Sequence, residues 1–446
     1  MSGVLSEIEE LTKYRSAMVG LFIIAIFVAV AIYAVVKVPY SEAKRLWRSG
    51  EEVWRENPVN ALPAWVNLFP GVNLPPTVIV DSRGNQGAQK EIVSQSPTLR
   101  KAKIVLPFEF KYDAFPKELT VHFLTKYERT KPFVIFHWYT PDGRVFDFGN
   151  VQISQDQWYA ISLDRNLVAA LGEAPERGLF ADPHNPDRPL KGKYKLVIEA
   201  YLFEPDADID TRLIVYGRVH GIAGTDHLRR DLSLGLLWGI TIALIFGVLA
   251  ALGTMVSTLI IAAIGSWYGG WVDGLIQRLT EIRMVLPTIP ILIMIGVFYS
   301  SSIWVMLGAV ILLNIISGSV KTYRATFLQE KNAPYIEAAR SYGAGNFRII
   351  FRYLVPRVVP WLVPGFVLAI PDMVFLEASL AVLGLGDPVL PTLGKVLNDA
   401  FTNGALYHGY YYWVLEPSVI LIAMGFSFSM VGFALDRIFN PRLREI

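Results

Sequence analysis

Residues Leu232–Gly265 read LSLGLLWGITIALIFGVLAALGTMVSTLIIAAIG, 34 positions without a charge. A helix rises 1.5 Å per residue and the hydrocarbon core is about 30 Å thick, so about twenty apolar residues cross it. The run is too long for one span and too short for two with a loop. It reads as an interfacial helix over Leu232–Gly239 followed by one span over Ile240–Gly265. The chain is therefore expected to be an α-helical membrane protein.

Working outward, five further spans are expected: Ser16–Val36, Ile289–Phe298 with its flanks, Ile303–Val320, Trp361–Leu383 and Trp413–Leu435. Lys13 and Arg15 before the first favour a cytoplasmic N-terminus. Six transmembrane helices then return the C-terminus to the cytoplasm. Arg278 and Arg283, Lys321 to Arg357, and Arg437, Arg442 and Arg444 all fall inside, as the positive-inside rule demands. Two spans within Leu232–Gly265 would put the most basic loop outside. The alternative for the first segment is a cleaved signal peptide with Ala29-Val30-Ala31 as its site, but the apolar run continues five residues beyond it.

Only 18% of the 446 residues are charged, against about 25% in soluble domains. The deficit lies in the apolar runs, whereas residues 38–230 read as a water-exposed domain. There, Leu119–Tyr127, Phe133–Tyr139, Tyr194–Phe203 and Arg212–Val219 alternate apolar and polar side chains, and Pro141-Asp142-Gly143 marks a hairpin turn. An antiparallel, β-sandwich-like extracellular domain inserted between helices one and two is expected. The division is then 1–37 (N-terminus and first helix), 38–230 (external domain) and 231–446 (membrane core). The net charge of +2 gives no sign of nucleic acid, and the lack of cysteine excludes disulfides and thiolate metal sites. The six histidines show no ligand spacing. Asp206-x-Asp208-x-Asp210 starts like a calcium loop, but Thr211 stands where glycine is needed, so a solvated turn is the reading.

The polar loop 321–360 carries Glu337-Ala338-Ala339-Arg340-Ser341-Tyr342-Gly343-Ala344, then Arg348-Ile349-Ile350 and Leu354-Val355-Pro356. Small alanines let a short helix approach another surface. Glu337 suits a helix start, Gly343 permits a left-handed turn, and Pro356 is read as the end of a second helix. The plain alternative is a loop helix that packs only on its own protein.

This loop resembles the cytoplasmic coupling loop of ABC importer permeases. Gly224-Thr225-Asp226 with Arg230-Asp231, Gly269-Gly270-Trp271-Val272-Asp273, Glu377-Ala378-Ser379-Leu380 with Leu383-Gly384-Leu385-Gly386, and the tail Pro441-Arg442-Leu443-Arg444 resemble the dipeptide, oligopeptide and nickel family, in its second, C-type permease. Arg229 stands where that family usually has glycine. The resemblance covers Met1–Lys37 and Val219–Ile446 and leaves the external domain unexplained. It implies the type I permease fold in the cell membrane. The implied assembly is a heterodimer with a second permease, two cytoplasmic ATPases and an extracellular substrate-binding protein. ATP and Mg would be bound by those ATPases and no cofactor by this chain, which has no G-x-x-x-x-G-K-[S/T] loop and is expected to be non-catalytic.

Glu337, Ala338, Ala339, Arg340 and Gly343 are the expected ATPase-coupling residues. Asp372, Glu377 and Asn314 are the pathway candidates, because polar groups within spans face cavities or partners; Asn314 also suits helix–helix contact. Gly265-x-x-x-Gly269 fits a close helix contact, inside the chain or with a partner. Peptides are the expected solutes, with oligosaccharides as the alternative. A secondary transporter needs two similar halves, which are not visible. A membrane-anchored receptor leaves the loop unexplained.

Overall fold

The structure, a computed structural model, describes residues 10–84, 87–96 and 99–439. The tail motif Pro441–Arg444 lies outside the described residues. The chain divides into two compact units, Met1–Arg48 with Leu234–Ile446, and Ser49–Ser233. Residues 38–48 thus go with the helical unit.

The helical unit contains α1 (Arg15–Lys37), α2 (Tyr40–Arg48), α3 (Leu232–Tyr268), α4 (Gly270–Val285), α5 (Thr288–Phe298), α6 (Ile303–Asn314), α7 (Ser319–Lys331), α8 (Pro334–Ser341), α9 (Asn346–Ile349), α10 (Val355–Leu380), α11 (Leu393–Thr402) and α12 (Tyr412–Phe439). Among the described residues four helical stretches are long and apolar enough to cross a membrane: α1, α3, Asn346–Leu385 and α12. The pairs α4–α5 and α6–α7, bent by 82° and 51°, bring the number to six if each pair is one span. Pro287 lies between α4 and α5 in extended conformation, and its missing N–H breaks the ladder there.

The expected break at Gly239 does not exist, since α3 runs unbroken for 37 residues. Gly235 and Gly239 serve packing instead. A Cβ at Gly235 would lie 2.8 Å from the Trp47 ring, and one at Gly239 would lie 2.9 Å from the backbone nitrogen of Leu393. One apolar cluster joins Phe27 of α1, Ile240, Ala243 and Leu244 of α3, Ile370 and Val374 of α10, and Leu421, Met424 and Phe428 of α12. Gly265 faces the chain's own α4, where a Cβ would meet Ile276 at 3.0 Å, and Gly269 turns the backbone at φ +63°. The pair shapes the α3–α4 corner.

The other unit is a β-sandwich. One sheet has the order β1 (Val78–Asp81), β11 (Asp208–Tyr216), β4 (Glu118–Lys126), β7 (Asp156–Ala160). The other has β2 (Gln89–Gln95), β3 (Arg100–Phe110), β10 (Gly192–Leu202), β5 (Phe133–Tyr139), β6 (Val145–Gln152). Every pairing in the two sheets is antiparallel. Strict alternation along β3 buries Ala102, Ile104, Leu106, Phe108 and Phe110 against Leu119, Val121, Phe123, Leu213 and Val215 of the opposite sheet. A two-stranded ribbon, β8 (Ala181–Asp182) with β9 (Asn185–Pro189), lies apart from both. Asp208 and Asp210 form no turn; both carboxylates hold the Lys90 ammonium, at 2.8 and 2.9 Å.

The two chain segments at the root of this unit are bound together. Thr225 and Asp226 are fully buried. The Thr225 hydroxyl accepts from the Ala61 N–H and donates to the Pro58 carbonyl. The Asp226 carboxylate accepts from the N–H groups of Leu228 and Arg230 and from the Arg230 guanidinium. Arg229, at the position where the resembling family has glycine, adopts φ +63°. Its guanidinium donates to the Asn57 carbonyl and to Glu118, and lies 4.7 Å from the Tyr216 ring centroid.

Candidate coupling surface and pathway

α8 begins with Pro334, whose missing N–H costs nothing in a first turn, and has Glu337 in that turn. It ends in a Schellman closure. The Gly343 N–H donates to the Arg340 carbonyl at 2.9 Å, and the Ala344 N–H to the Ala339 carbonyl at 3.0 Å. Gly343 sits at φ +78°, the left-handed conformation this closure needs.

The helix has two faces. Ile336 and Ala339 are buried in a cluster with Leu259, Ala263 and Trp267 of α3, Phe327 of α7, and Ile349, Ile350, Leu354 and Val358. Glu337, Ala338, Ser341 and Gly343 are exposed. Tyr342 is 92% exposed and Phe347 75%, with the Phe351 ring 4.5 Å from that of Phe347. Of the two alanines expected to face an ATPase, Ala338 lies on the open face and Ala339 packs inward, because successive helical residues point about 100° apart. Tyr342 and Phe347 were not singled out in the sequence, although their apolarity within a charged stretch was a usable signal.

Arg340 turns back on its own chain. Its guanidinium lies 4.6 Å from the centroid of Trp267, which is 6% exposed. The Lys331 ammonium donates to the carbonyls of Ser266 and Trp267 at 2.8 and 2.7 Å, in the last turn of α3. Those carbonyls have no partner within the helix, and cations are favoured at that end. Asp273 near the start of α4 takes two bonds from Arg324 of α7, at 2.7 and 2.5 Å.

Pro356 does not end a helix. It lies in the first turn of α10, after a π turn over Ile350–Leu354. The wider turn relaxes the ladder just where proline cannot donate.

On α10, Asp372 is exposed on a stripe with Trp361, Gly365, Phe375 and Ser379, flanked by buried and half-buried residues. Glu377 faces inward at 6% exposure, and its Oε2 has no hydrogen-bond partner among the described residues. It borders a small cavity also lined by Ser301 and Asp387. Asn314 bonds within its own helix, to the Val310 carbonyl. Thr258 of α3 reaches the end of α6, its hydroxyl lying 3.2 Å from the carbonyls of Asn314 and Ile315. Asn314, Asp372 and Glu377 are thus not gathered into one site.

The family model described as "Binding-protein-dependent transport system inner membrane component" matches residues 243–445. The chain is 32% identical over 181 residues to the peptidoglycan transport system permease protein YejE of Agrobacterium fabrum, covering 40% of this chain and 47% of that protein. It is 28% identical over 226 residues to the dipeptide transport system permease protein DppC of Bacillus subtilis, covering 50% and 69%. It is 29% identical over 224 residues to the oligopeptide transport system permease protein OppC of the same organism, covering 50% and 72%. The chain thus spans just under half the length of the first relative and about seven-tenths of the others. The β-sandwich lies wholly outside the family match. Residues 243–445 thus match the inner-membrane component of binding-protein-dependent transport systems, and the relatives similar to this region include permeases named for dipeptide and oligopeptide transport.

Proposed function

We propose that the chain forms half of the translocation pathway of an ATP-driven importer, paired with a second permease. Two ATPase subunits, which bind ATP and Mg, dock on the open face of α8, and a binding protein delivers the solute. The observation that carries this reading is the two-faced α8. Its inner face is keyed into the helical unit, while Glu337, Ala338, Tyr342 and Phe347 are left for a partner. In this reading each bent helix pair is one span, both termini are cytoplasmic and residues 38–230 lie outside the cell. Asp372 then faces the pathway or the partner permease, since an ionised carboxylate on a lipid-facing stripe is costly.

The solutes are peptides, in keeping with the relatives named for dipeptide and oligopeptide transport. The relative named for peptidoglycan transport favours a second class, peptides linked to sugars. Purification of the chain with its neighbours tests the function: two ATPases are retained, and Ala338→Trp releases them by blocking close approach. Retention of the ATPases by Ala338→Trp, or their absence from the wild-type complex, refutes the docking role. Protease added to intact cells tests topology by cutting Arg177–Arg188. Cleavage only after lysis refutes the external placement.

A further inference from the structure

α8 reaches the rest of its unit by two routes. One is the chain itself, through Gly343, α9 and the π turn into α10. That route is soft, because a glycine in the left-handed region and a widened turn both yield under load. The other is Trp267, in the last turn of α3. Its indole is buried among Leu259, Ala263, Phe327, Ile336 and Ala339. Arg340 of α8 covers one part of the ring at 4.6 Å, and the Lys331 ammonium lies 5.7 Å from the same ring. That ammonium also binds the carbonyls of Ser266 and Trp267.

We propose that Arg340, Trp267 and Lys331 form a clamp that transfers displacement of α8 to α3. Trp267 and its two cations are then positioning residues for transport. This rests on the coupling reading given above. The clamp suits the task because it resists two motions at once. Close packing around the indole opposes separation of α8 from α3, since a packed interior transmits strain rather than absorbing it. Lys331 closes α7 three residues before α8 begins, and its bonds to the helix end oppose sliding along the α3 axis. The cations have fixed partners, so a load on the open face of α8 passes through Arg340 directly to the ring. α3 also lines the core shared with α10 and α12, so its movement reaches the helices beside the pathway stripe.

The test uses the full complex with its ATPases and binding protein in proteoliposomes, reading ATP hydrolysed per solute imported. In Trp267→Leu the ATPases stay attached and uptake per ATP falls at least tenfold. Trp267→Phe retains a ring face and recovers uptake to within about threefold of wild type. Arg340→Met, at an exposed position that does not threaten folding, lowers uptake per ATP three- to tenfold, and it decides the matter alone if Trp267→Leu does not accumulate. Wild-type uptake per ATP in Arg340→Met overturns the clamp, as does a Phe variant no better than Leu. If the wild-type chain retains no ATPases, the coupling reading fails first and the clamp with it, an outcome visible before any variant is made.

Discussion

Gly343→Val isolates the conformational requirement of α8, the helix proposed to couple to the ATPases. A Cβ built at Gly343 has nothing within 4 Å, so the new side chain meets no clash and any effect is backbone strain. At φ +78° a residue with a Cβ loses about 1–2 kcal/mol, and a β-branched one more. At about 1.4 kcal/mol per tenfold, the closed end of α8 becomes roughly 5- to 30-fold less populated relative to frayed forms. Fraying removes the bonds to the Arg340 and Ala339 carbonyls and reorients Tyr342. Asparagine tolerates the left-handed region, so Gly343→Asn is the control and Gly343→Ala falls between. The expected order of peptide uptake in proteoliposomes is Gly, Asn, Ala, Val, with ATPase affinity following the same order. Equal uptake by all four refutes the coupling role. Equal loss in Asn and Val refutes the strain argument and points to a need for a bare backbone.

Three further outcomes are expected. Asp372→Asn leaves assembly intact and lowers uptake of a cationic peptide about three- to tenfold relative to a neutral one, up to about 1.4 kcal/mol; an unchanged ratio removes Asp372 from the pathway. Burial acts to raise the pKa of Asp81, but hydrogen bonds from Arg83 and Arg212 outweigh it and hold the carboxyl well below its usual range. Its stabilising effect is therefore present above roughly pH 4, the unfolded value, and is lost as pH falls below that; Asp81→Asn should flatten the acid loss of protease resistance in the sandwich. Arg229→Gly relieves about 1 kcal/mol of backbone strain but removes charged hydrogen bonds of about 1.5–3 kcal/mol; lower protease resistance at the domain root is expected, and a gain would show that strain dominates.

What the sequence made legible followed the range of the forces involved. Strands β4 and β5 lie within one residue of their expected limits because alternation is local. The short helix α8 and its closure at Gly343 were legible for the same reason, since Glu337, the alanines and Gly343 act within two turns. Which alanine faces outward was not legible, because that depends on where Phe327 and Ile350, outside the helix, and Trp267, distant in sequence, stand. The length of Leu232–Gly265 suggested a break after Gly239, yet Gly235 and Gly239 are places where Trp47 and Leu393 come close. Pro356 suggested an end, and a first-turn position after a π turn accommodates it. Trp267 gave no local signal, since its meaning comes from Lys331 and Arg340, 64 and 73 positions further on.

The root of the sandwich shows how a helical unit tolerates so large a unit between two of its helices. Closing a loop of well over a hundred residues costs entropy that grows only with the logarithm of its length. That cost is offset when the insert brings its own ends together. Here the Asn60 N–H donates to the Asp226 carbonyl at 3.0 Å, and the Leu62 N–H to the Arg218 carbonyl at 2.8 Å. The His220 N–H donates to the Leu62 carbonyl at 2.8 Å, and Thr225 joins Pro58 to Ala61. The Gly-Thr-Asp motif thus acts as a clasp on the unit's two ends. Glycine at position 229 would meet the left-handed geometry without strain. Arginine accepts that strain and gains Asn57, Glu118 and the Tyr216 face, all within the sandwich unit. The departure from the family's glycine is therefore explained by the insert: with strand residues within reach, a long cation at this turn ties the clasp to the sheet.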